Sequence, residues 1–257
     1  MKLIKFKVEN FRSVDDSDWI NAEDVTCLVG TNESGKTNLL IALWKLNPAN
    51  GELIIPLDDY PRKKYHNYEQ TKGDEVFVSA EFEVDTTTAI SLSKQSGWHE
   101  DLMKQVIVRR NYDGSYLYEY VKNKLDSIDK SYLIDFLNNV IQEYNSSDLP
   151  NKEEAETNKA ITDFINSELS KLSTKNNELN KQEVLEVKAN FTMFIETNYK
   201  RKINLKSFFD SNLFPKLDRI ISAFDANGIV VSDECKKIIK SKLPKFVYYS
   251  DYGNLDS

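Results

Sequence analysis

Cysteine and histidine are scarce: two of each in 257 residues, Cys27, Cys235, His66 and His99. Two thiols cannot build a disulfide framework, and two separated imidazoles cannot build a metal-ligand cluster. A small secreted scaffold and a structural zinc module are therefore excluded, and a reducing cytoplasm is the expected compartment. No run approaches the ~20 apolar residues that cross a bilayer. The N-terminus interleaves Lys2, Lys5 and Lys7 with Leu3, Ile4 and Phe6 rather than leading into an apolar block, so it is not a signal peptide. Neither sign of charge dominates. Thirty-four basic residues against 41 acidic ones give −7, too acidic for a chain coated in nucleic-acid-binding surface, although local basic patches remain compatible. With 40% hydrophobic and 29% charged residues the chain can bury a core as one large domain or two modest ones.

What is present centres on Gly30-Thr31-Asn32-Glu33-Ser34-Gly35-Lys36-Thr37, which satisfies G-x-x-x-x-G-K-[ST] at every fixed position. The apolar run Val25-Thr26-Cys27-Leu28-Val29 before it is expected to be a strand buried on both faces, with Cys27 in the core. After it, Leu39, Leu40, Leu43 and Leu46 recur at helical spacing until Pro48. A helix start offers unpartnered N–H groups and a partial positive charge, both of which suit a phosphate. Gly30 and Gly35 let the backbone wrap an anion, Lys36 reaches the β- and γ-phosphates, and the Thr37 hydroxyl holds Mg²⁺. ATP and Mg²⁺ are the expected ligands.

Along the chain, Ile4, Phe6 and Val8 alternate with Lys5, Lys7 and Glu9 as in a half-buried strand. Asp15, Asp16 and Asp18 suggest a loop, and Trp19-Ile20 a second strand. Residues 47–72 read as irregular, with Pro48, Pro56, Pro61 and the basic run Arg62-Lys63-Lys64. Val76 to Val84 alternates cleanly, a helix is expected over 87–96, and 105–112 and 115–121 flank the hairpin signal Asp113-Gly114. Residues 125–241 carry four amphipathic helical faces, around Leu133, Phe164, Phe191 and Leu217, with a polar break at 145–152. Lys245 to Ser250 returns to strand character. The expected organisation is an α/β lobe with an antiparallel sheet over 1–122, a helical insertion over 123–242, and a returning strand over 243–257.

A strand ending in Asn10-Phe11-Arg12-Ser13, followed by Gly-x-Asn-Glu-Ser-Gly-Lys-Thr-Asn-Leu-Leu-x-Ala-Leu, resembles the ATP-binding heads of the SMC/RecF/OLD group of ABC-type ATPases. The OLD-like branch is the nearest. The resemblance is specific over 1–48, extends to 75–121, and does not cover 125–241. It implies a P-loop NTPase head in which two copies sandwich two ATP molecules, with Lys36 as the catalytic lysine of the loop. It also implies that Asn32, Asn38 and Arg12 join Gly30, Thr31, Glu33, Ser34, Gly35, Lys36 and Thr37 at the nucleotide. Such heads act on DNA in repair or anti-phage defence. Their Leu-Ser-x-Gly-type signature and Walker B motif are not found, so the chain looks like the N-terminal part of a longer ATPase. The Q-loop glutamine is left unplaced, since Gln70 precedes an expected strand rather than following one and Gln105 opens the hairpin.

Other residues are weighed against plainer roles. Ile229 to Glu234 superficially resembles a Walker B strand, but Ser232-Asp233-Glu234 fits better as a helix cap. Tyr116, Tyr118 and Tyr120 could stack bases, but cross-strand packing suits them better. Arg62 to Lys64, Lys200 to Lys202 and the lysines from Lys236 to Lys245 are possible DNA contacts, more simply solvated surface. His66 and His99 read as surface residues. Two other functions stay open: a self-contained P-loop kinase or GTPase, and a non-enzymatic module whose helical block binds a partner protein. Asn180-Lys181-Gln182-Glu183 is a poor imitation of a GTPase base-reading motif.

Overall fold

The alternation at the N-terminus builds the first strand. The computed structural model describes residues 1–31, 34–71, 73–149, 155–199, 202–226 and 228–249. In it β1 (Lys2–Phe11) buries Phe6, Val8 and Phe11. β1 pairs antiparallel with β2 (Val14–Asp16) and β3 (Ile20–Asn21) on one side and with β4 (Val76–Glu83) on the other. β5 (Gln105–Asn111) and β6 (Tyr116–Tyr120) complete an antiparallel sheet in the order β2-β1-β4-β5-β6, with β3 also on β1. β4 is central in that order and is buried on both faces, with α1 packed against it. Glu81 is buried there and is paired with the Lys5 ammonium at 3.0 Å, as a buried carboxylate requires. At the β5–β6 turn Gly114 takes φ 87°, its N–H bonds Asn111 O at 3.0 Å, and the Ser115 N–H bonds the Asp113 carboxylate at 2.7 Å. The Asp-Gly hairpin forms where the sequence places it.

The chain divides into two compact units, residues 1–122 with 229–257 and residues 123–228. In the first, helix α1 (Lys36–Leu46) packs on β1 and β4 and buries Ala42, Lys45 and Leu46. Residues 47–72 are more regular than expected. They hold α2 (Pro56–Asp59), a 3-10 turn at Arg62–Lys64 and α3 (Tyr65–Thr71). The proline that seemed to break structure sits at the start of α2, where its missing N–H costs nothing. α4 (Thr86–Ser96) runs from an Asp85 cap to Gly97 at φ 81°.

The second unit is helical, with one two-stranded ribbon of β7 (Ile128–Asp129) and β8 (Glu178–Leu179). Its helices are α5 (Lys130–Ser146), α6 (Ala155–Ser173), α7 (Lys181–Tyr199), α8 (Ile203–Asn212) and α9 (Phe214–Phe224). Leu137, Ile165, Phe191, Phe209 and Leu217 lie in one apolar core. The face around Phe208 to Ile221 is two helices, because Pro215 in the first turn of α9 starts a new one. Pro150 in the polar break lies outside the described residues.

The last described helix, α10 (Asp233–Lys242), groups with the first unit, although the helical block was expected to reach residue 242. It packs on α4, with Cys235 and Ile239 buried. Beyond it, Phe246 makes a single parallel bridge to Pro48 instead of a full strand, and residues 250–257 lie outside the described residues.

Candidate phosphate-binding site

Gly30, Thr31 and Ser34 to Asn38 lie together at the N-terminus of α1. Gly35 caps the helix at φ 92°, a conformation that L side chains rarely adopt. A Cβ there would lie 3.4 Å from both Ser13 Oγ and Val14 Cγ2, so residues 13 and 14 form one wall of the loop. Asn38 ties the same wall down by donating to Ser13 Oγ at 2.8 Å. The Lys36 ammonium curls back over the loop and donates to Gly30 O at 2.8 Å, Thr31 O at 2.6 Å and Ser34 Oγ at 3.3 Å. Thr37 is exposed in the first helical turn. Asn32 and Glu33 lie outside the described residues. A lysine ammonium, a glycine at positive φ and the open N–H groups of a helix start thus share one small region, a donor set that suits a phosphate chain. Among the described residues no group of three His, Cys, Asp or Glu is placed to hold a metal.

The approach to this loop corrects one expectation. Residues 25–29 form no strand, and Val25 and Val29 are 87% and 90% exposed. A strand buried on both faces needs neighbours on both sides, and no described strand pairs with this run. Cys27, expected in the core, is exposed for the same reason. β2 also occupies residues assigned to an acidic loop: its backbone pairs with β1 at Glu9–Asp16 and Phe11–Val14, and Lys7 bridges Asp16 at 2.8 Å.

Arg12 stands beside the wall residue Ser13, but its guanidinium is turned to Asp59. Nη2 lies 3.0 Å and Nε 3.3 Å from Asp59 Oδ1. The Arg12 backbone, at φ 52°, donates to Asp59 O at 2.7 Å. Asp59 is fully buried and also accepts from Lys45 Nζ at 2.5 Å and from the Ile55 N–H at 3.0 Å. The Tyr112 hydroxyl donates to Asn10 O at 2.6 Å and lies 3.1 Å from Asp59 O. Tyr60, Tyr68, Phe77 and Tyr112 pack around this corner with ring centroids 5.0–6.2 Å apart. Burial pushes the Tyr112 and Tyr60 phenols well above their ordinary range, with Glu75 adding to the effect on Tyr60 through a 2.6 Å bond. Asp59, Lys45 and Tyr112 were not identified from sequence. Asp59 is 47 residues from Arg12, and no spacing rule links them.

The remaining candidates fall outside the loop. Ser232 caps α10 through the Cys235 N–H at 3.3 Å, and Asp233 pairs with Lys236 at 2.8 Å, so residues 229–234 behave as a helix start. Tyr116 packs as cross-strand and cap chemistry predicts. Its hydroxyl donates to Leu46 O at 2.6 Å, and Arg110 donates to Lys45 O at the same helix end. The Lys240 ammonium lies 3.2 Å from the centre of the Tyr116 ring, and burial, with Arg110 and Lys245 nearby, pushes it down to about 8. Lys64 pairs with Asp15 at 2.8 Å, while Lys200 and Arg201 lie outside the described residues. His66 is exposed as expected, but His99 is buried, accepting the Asp101 N–H at 3.2 Å, and burial pushes its imidazole down. No described helix is long and apolar enough to cross a membrane.

Comparison with known proteins agrees with the loop at the level of the family. The family model described as AAA ATPase domain matches residues 1–250. No curated protein and no solved structure matches the chain.

Proposed function

The chain belongs to the AAA ATPase domain family, and from that premise we propose that residues 30–38 seat the phosphates of ATP with Mg²⁺. The carrying observation is the Lys36 ammonium, already drawn over the loop to Gly30 O and Thr31 O at the mouth of α1. In this reading Lys36 exchanges those carbonyls for the β- and γ-phosphate oxygens, and the N–H groups at the helix start take the rest of the charge. Thr37 supplies the protein ligand to Mg²⁺, an ion that keeps several waters and leans on substrate phosphates. Arg12 and Asn38 flank the site, and Asn32 and Glu33 complete the loop.

Hydrolysis in this proposal needs more than the phosphate loop. It requires a signature motif from a second head and an acidic residue at a strand end. We place the chain in the SMC/RecF/OLD-type branch, acting on DNA in repair or defence through nucleotide-driven head pairing. Calorimetric titration of the purified chain with Mg·ATP tests the core of this. Binding with negligible turnover is expected, and Lys36→Ala should abolish it. Brisk Lys36-dependent hydrolysis by the monomer, or a preference for GTP, would favour the self-contained kinase or GTPase reading instead.

A further inference from the structure

We propose that Asp59 and Lys45 are positioning residues of opposite effect: Asp59 holds Arg12 back from the phosphate loop, and Lys45, by sharing that carboxylate, eases its release when a triphosphate arrives. The inference rests on the nucleotide reading above. Four donors saturate the Asp59 carboxylate: Arg12 Nε and Nη2 on Oδ1, and Lys45 Nζ and the Ile55 N–H on Oδ2. Two cations therefore share one anion, and the group carries one uncompensated positive charge.

The two cations are not equivalent. The Lys45 side chain is 5% exposed and lies at 2.5 Å, whereas that of Arg12 is 32% exposed and bonds at 3.0 and 3.3 Å. Removing Lys45 from Asp59 would strand a buried ammonium, which is costly. Removing Arg12 would leave a neutral Asp59–Lys45 pair behind, so Arg12 is the member that can depart.

Its backbone points the same way. Arg12 is a non-glycine residue at φ 52°, held by its N–H on Asp59 O at 2.7 Å, and such strain persists only where the surroundings enforce it. The next residue, Ser13, accepts from Asn38 and lines the Gly35 wall. Lys45 sits on the helix that the phosphate loop begins. A guanidinium released beside that wall meets phosphate oxygens whose geometry matches its fork of donors.

The latch makes predictions of opposite sign. Mg·ATP affinity is measured by calorimetry for the wild type, Asp59→Asn, Lys45→Met and Arg12→Met, and for the first two in the Arg12→Met background. Circular dichroism checks each fold. Asp59→Asn should tighten binding by about three- to tenfold, the size of one partly screened charge interaction. Lys45→Met should weaken it by a similar factor, because Asp59 then grips its only remaining cation. Both effects should vanish without Arg12. Loss of folding would weaken both variants, so it cannot produce this pattern. Should Asp59→Asn itself fail to fold, the Lys45→Met arm decides alone. A folded Asp59→Asn that binds no tighter, a Lys45→Met that binds as the wild type does, or effects that survive Arg12→Met would overturn the latch while leaving the nucleotide site intact. If wild type and Lys36→Ala bind Mg·ATP equally, the nucleotide reading falls and takes the latch with it.

Discussion

At position 35 the decisive property is the lack of a side chain. Gly35 turns the chain at φ 92° into the first turn of α1, with Ser13 Oγ and Val14 Cγ2 at contact distance from the space a Cβ would fill. Gly35→Ala is expected to cost about 1–2 kcal/mol from the left-handed backbone alone. It should also weaken Mg·ATP binding more than tenfold, through distortion of the wall. Urea denaturation reads the first effect and calorimetry the second. This residue and Lys36 were legible in the sequence because the phosphate-loop pattern fixes residue type and spacing together. The partners of Arg12 were not. Its guanidinium meets Asp59 only because β1 turns at Asn10 and Arg12, both at positive φ, and because Tyr112 pins that turn from the far hairpin. Three segments distant in sequence meet there, and no local pattern encodes such a meeting.

Among the elements, α4 shows most directly how a boundary is held. Asp85 accepts the Thr88 N–H and hydroxyl, both at 2.9 Å, and the Thr88 N–H bond is the chief reason its carboxyl is held below the usual carboxylate range. Asp85→Ala should destabilise the first unit by about 1 kcal/mol. Because the folded value is depressed, this stabilisation is complete above the ordinary value of 3.8 and is lost as pH falls through the lower folded value. Wild type and variant should therefore converge in stability in strong acid, as acid titration of the denaturation midpoint would show. β1, β4 and the hairpin were legible for a comparable reason, since alternation and Asp-Gly are local signals with one dominant outcome. The run Val25 to Val29 was misread because an apolar stretch reports a wish to be buried, not the neighbours that would bury it. Residues 56–71 were misread in the other direction: proline was taken as a breaker where it opens a helix.

Taken whole, the molecule is two units with separate cores. Calorimetry should resolve two unfolding transitions. Mg·ATP at a hundredfold over its dissociation constant should stabilise only the one belonging to residues 1–122 and 229–249, by about 2.7 kcal/mol. A single transition that moves as one with ligand would contradict this independence. The change to helical periodicity after Lys122 was visible in the sequence. The return of α10 to the first unit was not, since an amphipathic face does not name the surface it will cover. That return has a consequence for biosynthesis. The helical unit is contiguous, so a ribosome finishes it before the last segment of the sheet unit has emerged, and domains tend to fold as they become complete. Until residues 233–242 leave the exit tunnel, the nascent chain holds α4 without the cover of Cys235 and Ile239, the interval in which a chaperone has most to offer.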